Sequence, residues 1–332
     1  MTRCRIYLFT YKRNHLLTRA VKSLLNQTVT GWVCEVHNDC PEDPFPAAFI
    51  SSLNDHRFIM KNHAKNLGAV ASFNLAFAGC DEPYVSILED DNWWEPDFLK
   101  EMTAVMDNDA NIKVSWCNMV LWHEEPGNLW TNTHKTIWPD GQSQYFWWPQ
   151  HRQAISALHS NGAMLYRGEH ASAYLVPQSI LFNAVELIRE RSFEHPIYLH
   201  GKPLANFAVT LATARDNDRY SWIATQVMLL ASFITASPDK TKTMKESLAY
   251  HRLQRPVPTA TFFLANIFIL KDNRIYKYFT IADWLLFGKW LLGNGRQLNY
   301  IKQYIALHSD TYQFLLRQTG LRYREAEQHA QN

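Results

Sequence analysis

Short apolar runs alternate with amphipathic stretches through the first hundred residues. Ile6-Tyr7-Leu8-Phe9 breaks at the polar Thr10-Tyr11-Lys12-Arg13-Asn14, after which Leu16, Leu17, Ala20, Val21, Leu24 and Leu25 recur at helical spacing. The pattern predicts a strand, a loop and a helix that closes at Asn26-Gln27-Thr28. Trp32-Val33-Cys34-Glu35-Val36-His37 predicts a second strand ending in Asn38-Asp39, residues 41–56 with their prolines a loop and short helix, and Phe58-Ile59-Met60 a third strand. A helical stripe follows over Lys65–Ala78, with Gly68 near its start. Tyr84-Val85-Ser86-Ile87-Leu88 then runs straight into Glu89-Asp90-Asp91-Asn92, and Pro96 stands where the next helix takes its first turn.

This alternation predicts an α/β fold, a mostly parallel doubly wound sheet, whose ligands bind beyond the carboxyl ends of the strands. Thr10, Asp39 and Glu89–Asp91 all fall at such ends, so three strand ends point to one crevice. Three successive carboxylates at a sheet edge crowd negative charge that a cation or hydrogen-bond donors must offset. A hard divalent cation held by oxygens answers that need, and a solvated acidic turn is the other reading. No GxGxxG follows the first strand and no P-loop occurs, which argues against a dinucleotide-dependent dehydrogenase or a P-loop enzyme.

Beyond residue 100 the pattern changes. Residues 113–160 carry Trp116, Trp122, Trp130, Trp138, Trp147 and Trp148 among Asn, His, Gln and Gly. Flat rings beside hydrogen-bonding groups suit sugar faces as well as a core. Trp116 and Trp122, in the strand-like run Ile112–Trp122, read as core; Trp130, Trp138, Trp147 and Trp148, in a punctuated loop, read as the border of an acceptor groove. From Trp222 onward the chain reads as helices, Ile223–Ile234, Lys242–Leu253, Thr259–Leu270, Ile281–Leu292 and Leu298–Thr319, separated by Pro256, Pro258 and Gly293–Gly295.

Composition narrows the class. With 332 residues, 47% hydrophobic and 19% charged, the chain can bury a large core and is no disordered tail. Its net charge of +2 hides an asymmetry, because residues 241–332 hold 13 Lys and Arg against 6 Asp and Glu. Basic charge among aromatics and leucines suits a nucleic acid, an anionic membrane face or a plain solvated helix surface; no nucleic-acid partner is expected. Five cysteines (4, 34, 40, 80 and 117) without a CxxC pair argue against a zinc knuckle or a disulfide framework and for a reducing cytoplasm. The start reads directly into a strand without a signal-like segment. The apolar stretches Phe262–Leu270 and Trp284–Leu292 are shorter than the roughly 20 residues of a bilayer span. Ile281–Leu292, with Arg274, Lys277, Lys289 and Arg296 around it, has the features of a helix lying on a membrane surface and equally of one packed on the fold.

Five blocks, Phe9–Asn14, Leu17 with Val21–Thr28, His37-Asn38-Asp39, Asn66-Leu67-Gly68 with Asn74, and Ile87–Asn92 with Pro96–Leu99, together resemble the nucleotide-sugar-binding half of family 2 inverting glycosyltransferases with the GT-A fold. A weaker resemblance continues through Asn161–Arg167, Glu186–Arg189 and Ile197–Ala205, and none is seen beyond about residue 221. It implies a catalytic domain over 1–221, with a nucleotide-binding half 1–100 and an acceptor-binding half 101–221, and a helical extension over 222–332. The implied reaction is a metal-dependent, inverting transfer of a sugar from a nucleoside diphosphate, UDP before GDP or dTDP, to a glycan or lipid-linked glycan of bacterial surface-polysaccharide type. The resemblance puts Mn2+ or Mg2+ on Asp91, where it would offset charge on the departing diphosphate. It implies nucleotide contacts for Thr10, Tyr11, Arg13, Asp39, Asn66, Gly68, Glu89 and Asp90.

An inverting displacement also needs a general base. The resemblance implies an acid at the start of the helix before Ile197-Tyr198-Leu199; Asn183 stands near that place, and Glu186 is the nearest carboxylate. A helix-surface pair between Glu186 and Arg189 is the plainer reading. Where family members often carry a His after the Pro203-Leu204-Ala205 block, this chain has Thr210, followed by Arg215-Asp216-Asn217-Asp218-Arg219. These departures leave open a carbohydrate-binding or assembly-scaffold protein without catalysis. A nucleotidyltransferase of related fold usually has a glycine-rich loop after its first strand, and Thr10–Asn14 contains no glycine.

Overall fold

In the computed structural model the apolar runs form strands and the spaced leucines form helices. The structure describes residues 3–158, 161–211, 218–253 and 259–331. Strand β1 (Cys4–Thr10) buries every side chain but Arg5, and α1 (Asn14–Leu25) buries Leu16, Leu17, Ala20, Val21 and Leu24 against the sheet side. The alternation continues through β2 (Trp32–Asn38), α2 (Phe45–Ser52), β3 (Phe58–Asn62), α3 (Ala69–Leu75) and β4 (Tyr84–Glu89). Helix α3 starts directly after Gly68, the glycine expected near a helix start. The chain before it is held by hydrogen bonds to Asp39, and Gly68 takes φ +77° at the cap, a conformation that only glycine adopts without strain.

The remaining strands are β5 (Trp93–Trp94), β6 (Val114–Glu125), β7 (Leu129–Thr136), β8 (Gln144–Phe146), β9 (Met164–Arg167) and β10 (Ile197–Val209), with α4 (Phe98–Asn108) between β5 and β6. The sheet order is β3-β2-β1-β4-β9-β6-β10-β5, with β7 beside β6 and β8 beside β10. Strands β3, β2, β1 and β4 are parallel neighbours, as the alternation predicts. The second half is mixed. Strand β9 runs antiparallel to both β4 and β6, and β10 lies parallel to β6. The mixing has a local cause at β6 and β7, where Gly127 and Asn128 take positive φ in the turn joining two antiparallel strands.

Two compact units result. The first comprises Met1–Phe146, His159–Leu175 and Phe193–Ala214; the second comprises Trp147–Leu158, Val176–Ser192 and Arg215–Asn332. The first is the sheet with its helices. In the second, α5 (Val185–Arg189) comes first in the chain, and α6 (Arg219–Ala236), α7 (Lys240–Leu253), α8 (Thr259–Ala265), α9 (Ile281–Asn294), α10 (Leu298–Leu307) and α11 (Ser309–Gln331) share a core centred on α6. Asp218 caps α6 by accepting from the N–H groups of Tyr220 and Ser221. The break expected at residue 221 lies close to the 214/215 division, but 147–158 and 176–192 join the helical unit. Trp148 explains the first of these, since its ring packs 5.3 Å from Phe233 and 5.5 Å from Tyr323. The helix expected over Leu298–Thr319 is interrupted at His308, and α11 continues to Gln331. No described helix is long and apolar enough to cross a membrane.

Candidate functional site

Backbone hydrogen bonds tie the carboxyl ends of three neighbouring strands together. The N–H of Asp39 donates to the carbonyl of Thr10 at 3.1 Å, and the N–H of Asp90 donates to the carbonyl of Phe9 at 3.2 Å. The ends of β2, β1 and β4 therefore meet, as their polar endings predict.

Arg13, from the loop after β1, meets the acidic tip of β4. It pairs with Asp90 and donates from Nη1 to Asp91 Oδ2 at 2.6 Å. Asp90 is wholly buried, and burial pushes its carboxyl up to about 7, with Arg13 pulling the other way and Asp91 adding to the rise. Arg19 of α1 donates from Nη2 to the main-chain carbonyl of Asp91 at 2.8 Å. Its guanidinium lies between two indoles, 3.8 Å from the Trp93 ring and 3.7 Å from the Trp130 ring. Burial lowers its pKa to about 10, which still leaves it cationic at neutral pH.

Glu89 accepts from Asn92 Nδ2 at 2.7 Å, while Asn92 Oδ1 accepts from the N–H of Ala208 at 3.1 Å. Gly162 presses on this pair. A Cβ there would lie 2.9 Å from Asn92 Nδ2 and 3.2 Å from Glu89 Oε2, so a side chain would displace both. The Gly162 carbonyl in turn accepts from Trp94 Nε1 at 2.7 Å.

Asp39 is held from several sides. Its Oδ1 accepts from the Leu67 N–H at 2.7 Å and lies 2.9 Å from His63 Nδ1, while its Oδ2 accepts from the Gly68 N–H at 3.0 Å. Asn66 Oδ1 shares the Gly68 donor at 2.7 Å. Behind His63 stands His37, which reaches Glu35 in turn. The pattern reading missed both histidines as site residues. His37 lay inside a predicted strand, and His63 is 26 residues further along, so only the pairing of β2 with β3 brings them together. Thr10 is buried, and the Tyr11 ring is 41% exposed with Lys12 Nζ 5.0 Å from its centre.

The four aromatics expected at an acceptor groove separate. Trp138 and Trp148 are buried, Trp138 with its main-chain N–H donating to Asn118 Oδ1 at 3.0 Å and Trp148 in the helical core. Their packing is that of core residues, because their apolar ring area finds partners there. Trp147 is 45% exposed, and Trp130 is half-buried on Arg19. Trp116 is core, as its strand position predicts, whereas Trp122 is half-buried and donates from Nε1 to Asn206 at 2.8 Å. Glu186 sits half-buried in the first turn of α5, on the helical unit. Arg189, its expected surface partner, is fully buried. Thr210 is buried after β10, and Arg215, Asp216 and Asn217 lie outside the described residues.

Among the described residues no three or more His, Cys, Asp or Glu side chains gather into a metal cage. The donor set nonetheless suits a hard cation brought with a diphosphate. The Asp91 side chain is 18% exposed at the rim, and Mg2+ is typically held by one or two carboxylates together with phosphate oxygens. Arg13 supplies the positive charge there in the structure.

Residues 6–162 match the family model for glycosyl transferase family 2. The matched stretch is a little under half of the chain. Over 100 residues it is 31% identical to WcaA of Escherichia coli (strain K12), a candidate glycosyl transferase of colanic acid biosynthesis. That match covers 30% of this chain and spans 36% of WcaA, about a third of the relative's length. The structure resembles S. aureus TarS 1–349 with a TM-score of 0.56 at 13% identity, over 99% of this chain and 92% of that one. The same TarS fragment in complex with UDP-GlcNAc aligns with a TM-score of 0.54 at 13% identity and the same coverage. At such identity the likeness establishes a shared fold, and with it the GT-A-like α/β architecture of the family 2 domain.

Proposed function

We propose that this protein is a family 2 glycosyltransferase that moves a sugar from a nucleoside diphosphate, UDP first, to a glycan or lipid-linked glycan acceptor with inversion. The observation that carries the reading is the meeting of Asp39, Asp90 and Asp91 with Arg13 at three adjacent strand ends. TarS has been crystallised with UDP and with UDP-GlcNAc, and WcaA is named for colanic acid biosynthesis; the first supports the donor class and the second a biosynthetic transfer.

In this reading the exposed ring of Tyr11 stacks on the base and Asp39 accepts a base imide or ribose hydroxyl proton. Arg13 donates to the phosphates, while Thr10, Asn66, Gly68, Glu89 and the buried Asp90 shape the nucleotide pocket. Asp91 would hold Mn2+ or Mg2+ together with diphosphate oxygens, and the ion would supply positive charge against the departing diphosphate. Glu186 would take the acceptor hydroxyl proton, and the exposed Trp147 and half-buried Trp130 would contact acceptor rings.

Titration calorimetry of UDP in the presence of Mn2+, with Asp91→Ala as control, tests the reading. Measurable binding that Asp91→Ala weakens by tenfold or more supports it. The absence of binding to every nucleoside diphosphate sinks it. Glycan binding without release of nucleotide would instead identify a non-catalytic scaffold.

The same reading extends to a location at the inner face of an anionic cytoplasmic membrane, and features of the helical unit support it. On α9 the residues Ile281, Leu285, Gly288 and Leu292 fall within roughly 60° of one another around the helix axis. Ile281 is 81%, Leu285 69% and Leu292 92% exposed. Residues 271–302 carry six Lys and Arg against Asp272 and Asp283, and Asp283 is buried and paired with Arg252. An apolar strip beside basic charge is complementary to anionic lipid.

A further inference from the structure

Two carboxylates, Glu35 and Asp39, are joined through two imidazoles in series. His37 Nε2 lies 3.2 Å from Glu35 Oε2, His37 Nδ1 lies 3.0 Å from His63 Nε2, and His63 Nδ1 lies 2.9 Å from Asp39 Oδ1. Each of these three contacts needs one proton between its heavy atoms. Two neutral imidazoles carry only two N–H groups between them, so with both carboxylates ionised one ring must be an imidazolium.

The surroundings decide which ring. His37 is buried, with Phe9 5.2 Å and Tyr7 5.8 Å from its ring centre, and burial pushes its pKa down to about 4 against the pull of Glu35. Lys61 also disfavours charge on it, and Glu35 is already paired with Arg5, which Glu82 shares. A neutral His37 that donates from Nε2 to Glu35 leaves its Nδ1 bare, and that nitrogen accepts from His63 Nε2–H. His63 then donates from both nitrogens.

We propose that His63, as an imidazolium held between neutral His37 and Asp39, is a positioning residue that orients the Asp39 carboxylate for the donor nucleotide and makes donor affinity fall as the pH rises. The proposal rests on the reading of Asp39 as a nucleotide contact. Its physical content is a count of acceptor sites. A carboxylate offers about four, and the Leu67 and Gly68 N–H groups and His63 take three, two on Oδ1 and one on Oδ2. One site on Oδ2 is left for a base imide or ribose hydroxyl. While His37 keeps its Nε2 proton on Glu35, loss of the extra proton from His63 leaves either the contact to Asp39 or the contact to His37 without a hydrogen, and the carboxylate is free to turn.

The test measures UDP affinity by calorimetry with Mn2+ from pH 5.5 to 8.5 for the full chain, His63→Gln, His63→Ala and Asp39→Asn. The ratio of wild type to variant cancels the titration of the UDP phosphate. Wild type is expected to lose affinity several-fold across the range. Because the His63→Gln amide donates at any pH, the ratio of wild-type to His63→Gln affinity should start near one at the acidic end and fall several-fold as the pH rises, while His63→Ala should bind more weakly than His63→Gln by a constant factor. If His63→Gln keeps the wild-type pH slope while Asp39→Asn loses UDP, the relay is wrong and the nucleotide site stands. If Asp39→Asn binds UDP as wild type does, the site reading fails instead. Ring 15N chemical shifts of His63 decide the proton without reference to activity: imidazolium shifts at pH 6 support the proposal, and neutral-tautomer shifts overturn it.

Discussion

Arg13 Nη1 meets Asp91 Oδ2 at 2.6 Å while the same guanidinium pairs with the buried Asp90. One cation thus offsets two adjacent carboxylates, one of which has no access to water. Arg13→Ala leaves that charge uncompensated, and breaking such a pair typically costs about 3 kcal/mol. The variant should lose about that much in denaturant unfolding, and Mn2+ should recover part of the loss if Asp91 binds the ion. An Arg13→Ala protein as stable as wild type would show that the pair is not maintained in solution.

Arg19 should act on the same loop from behind. It holds the Asp91 carbonyl while sandwiched by Trp93 and Trp130, and each cation–π contact contributes about 1 kcal/mol. Arg19→Lys keeps charge but not the flat stack, so both stability and Mn2+-dependent UDP affinity should fall, less than in Arg19→Ala. Thermal melts and calorimetry check this ordering; equal behaviour of Lys and Ala variants would show that the retained charge and amine donor contribute nothing.

Neighbouring tryptophans should behave oppositely. Trp148 is enclosed by Phe233 and Tyr323, so Trp148→Ala should destabilise by about 3–5 kcal/mol. Trp147, half in solvent beside His329, should cost under about 1 kcal/mol on truncation, with the loss appearing in acceptor KM instead. Urea unfolding paired with transfer kinetics separates the two.

The exposed face of α9 should bring the protein to anionic lipid. Sedimentation with phosphatidylglycerol vesicles at low salt is expected, and it should weaken with added salt and with Leu285→Ser/Leu292→Ser or Lys277, Lys289 and Arg296 changed to Gln. Each basic residue near such a surface contributes on the order of 1 kcal/mol. If the serine variant instead abolishes a dimer seen by ultracentrifugation while vesicles bind neither protein, the face joins two copies and the membrane reading falls.

Much of the first unit was legible in the chain itself. Apolar runs of period two and leucines at helical spacing are local properties, so β1, α1, β2, β3 and β4 follow from them, and the polar residues at their ends mark the crevice. Asp39, Asp90 and Asp91 could be named for the same reason, since a strand end is visible wherever an apolar run stops. The later strands were less visible. Their antiparallel neighbours come from distant parts of the chain, and no local period records which strand lies beside β9 or β10.

What only the tertiary structure decided is who meets whom. Trp138 and Trp147 have similar local surroundings, yet one is buried and the other half exposed, because burial depends on what packs over a ring. His37 and His63 gain a joint role only when β2 and β3 pair, and Arg19 finds its two indoles only when β5 brings Trp93 and β7 brings Trp130 to α1. The sequence by itself determined the alternating elements and the acids at their tips, since these depend on neighbours a few residues apart. The proton-sharing histidines, the stacked arginine and the burial of Trp148 depend on contacts across tens to hundreds of residues, and only the packed fold sets those.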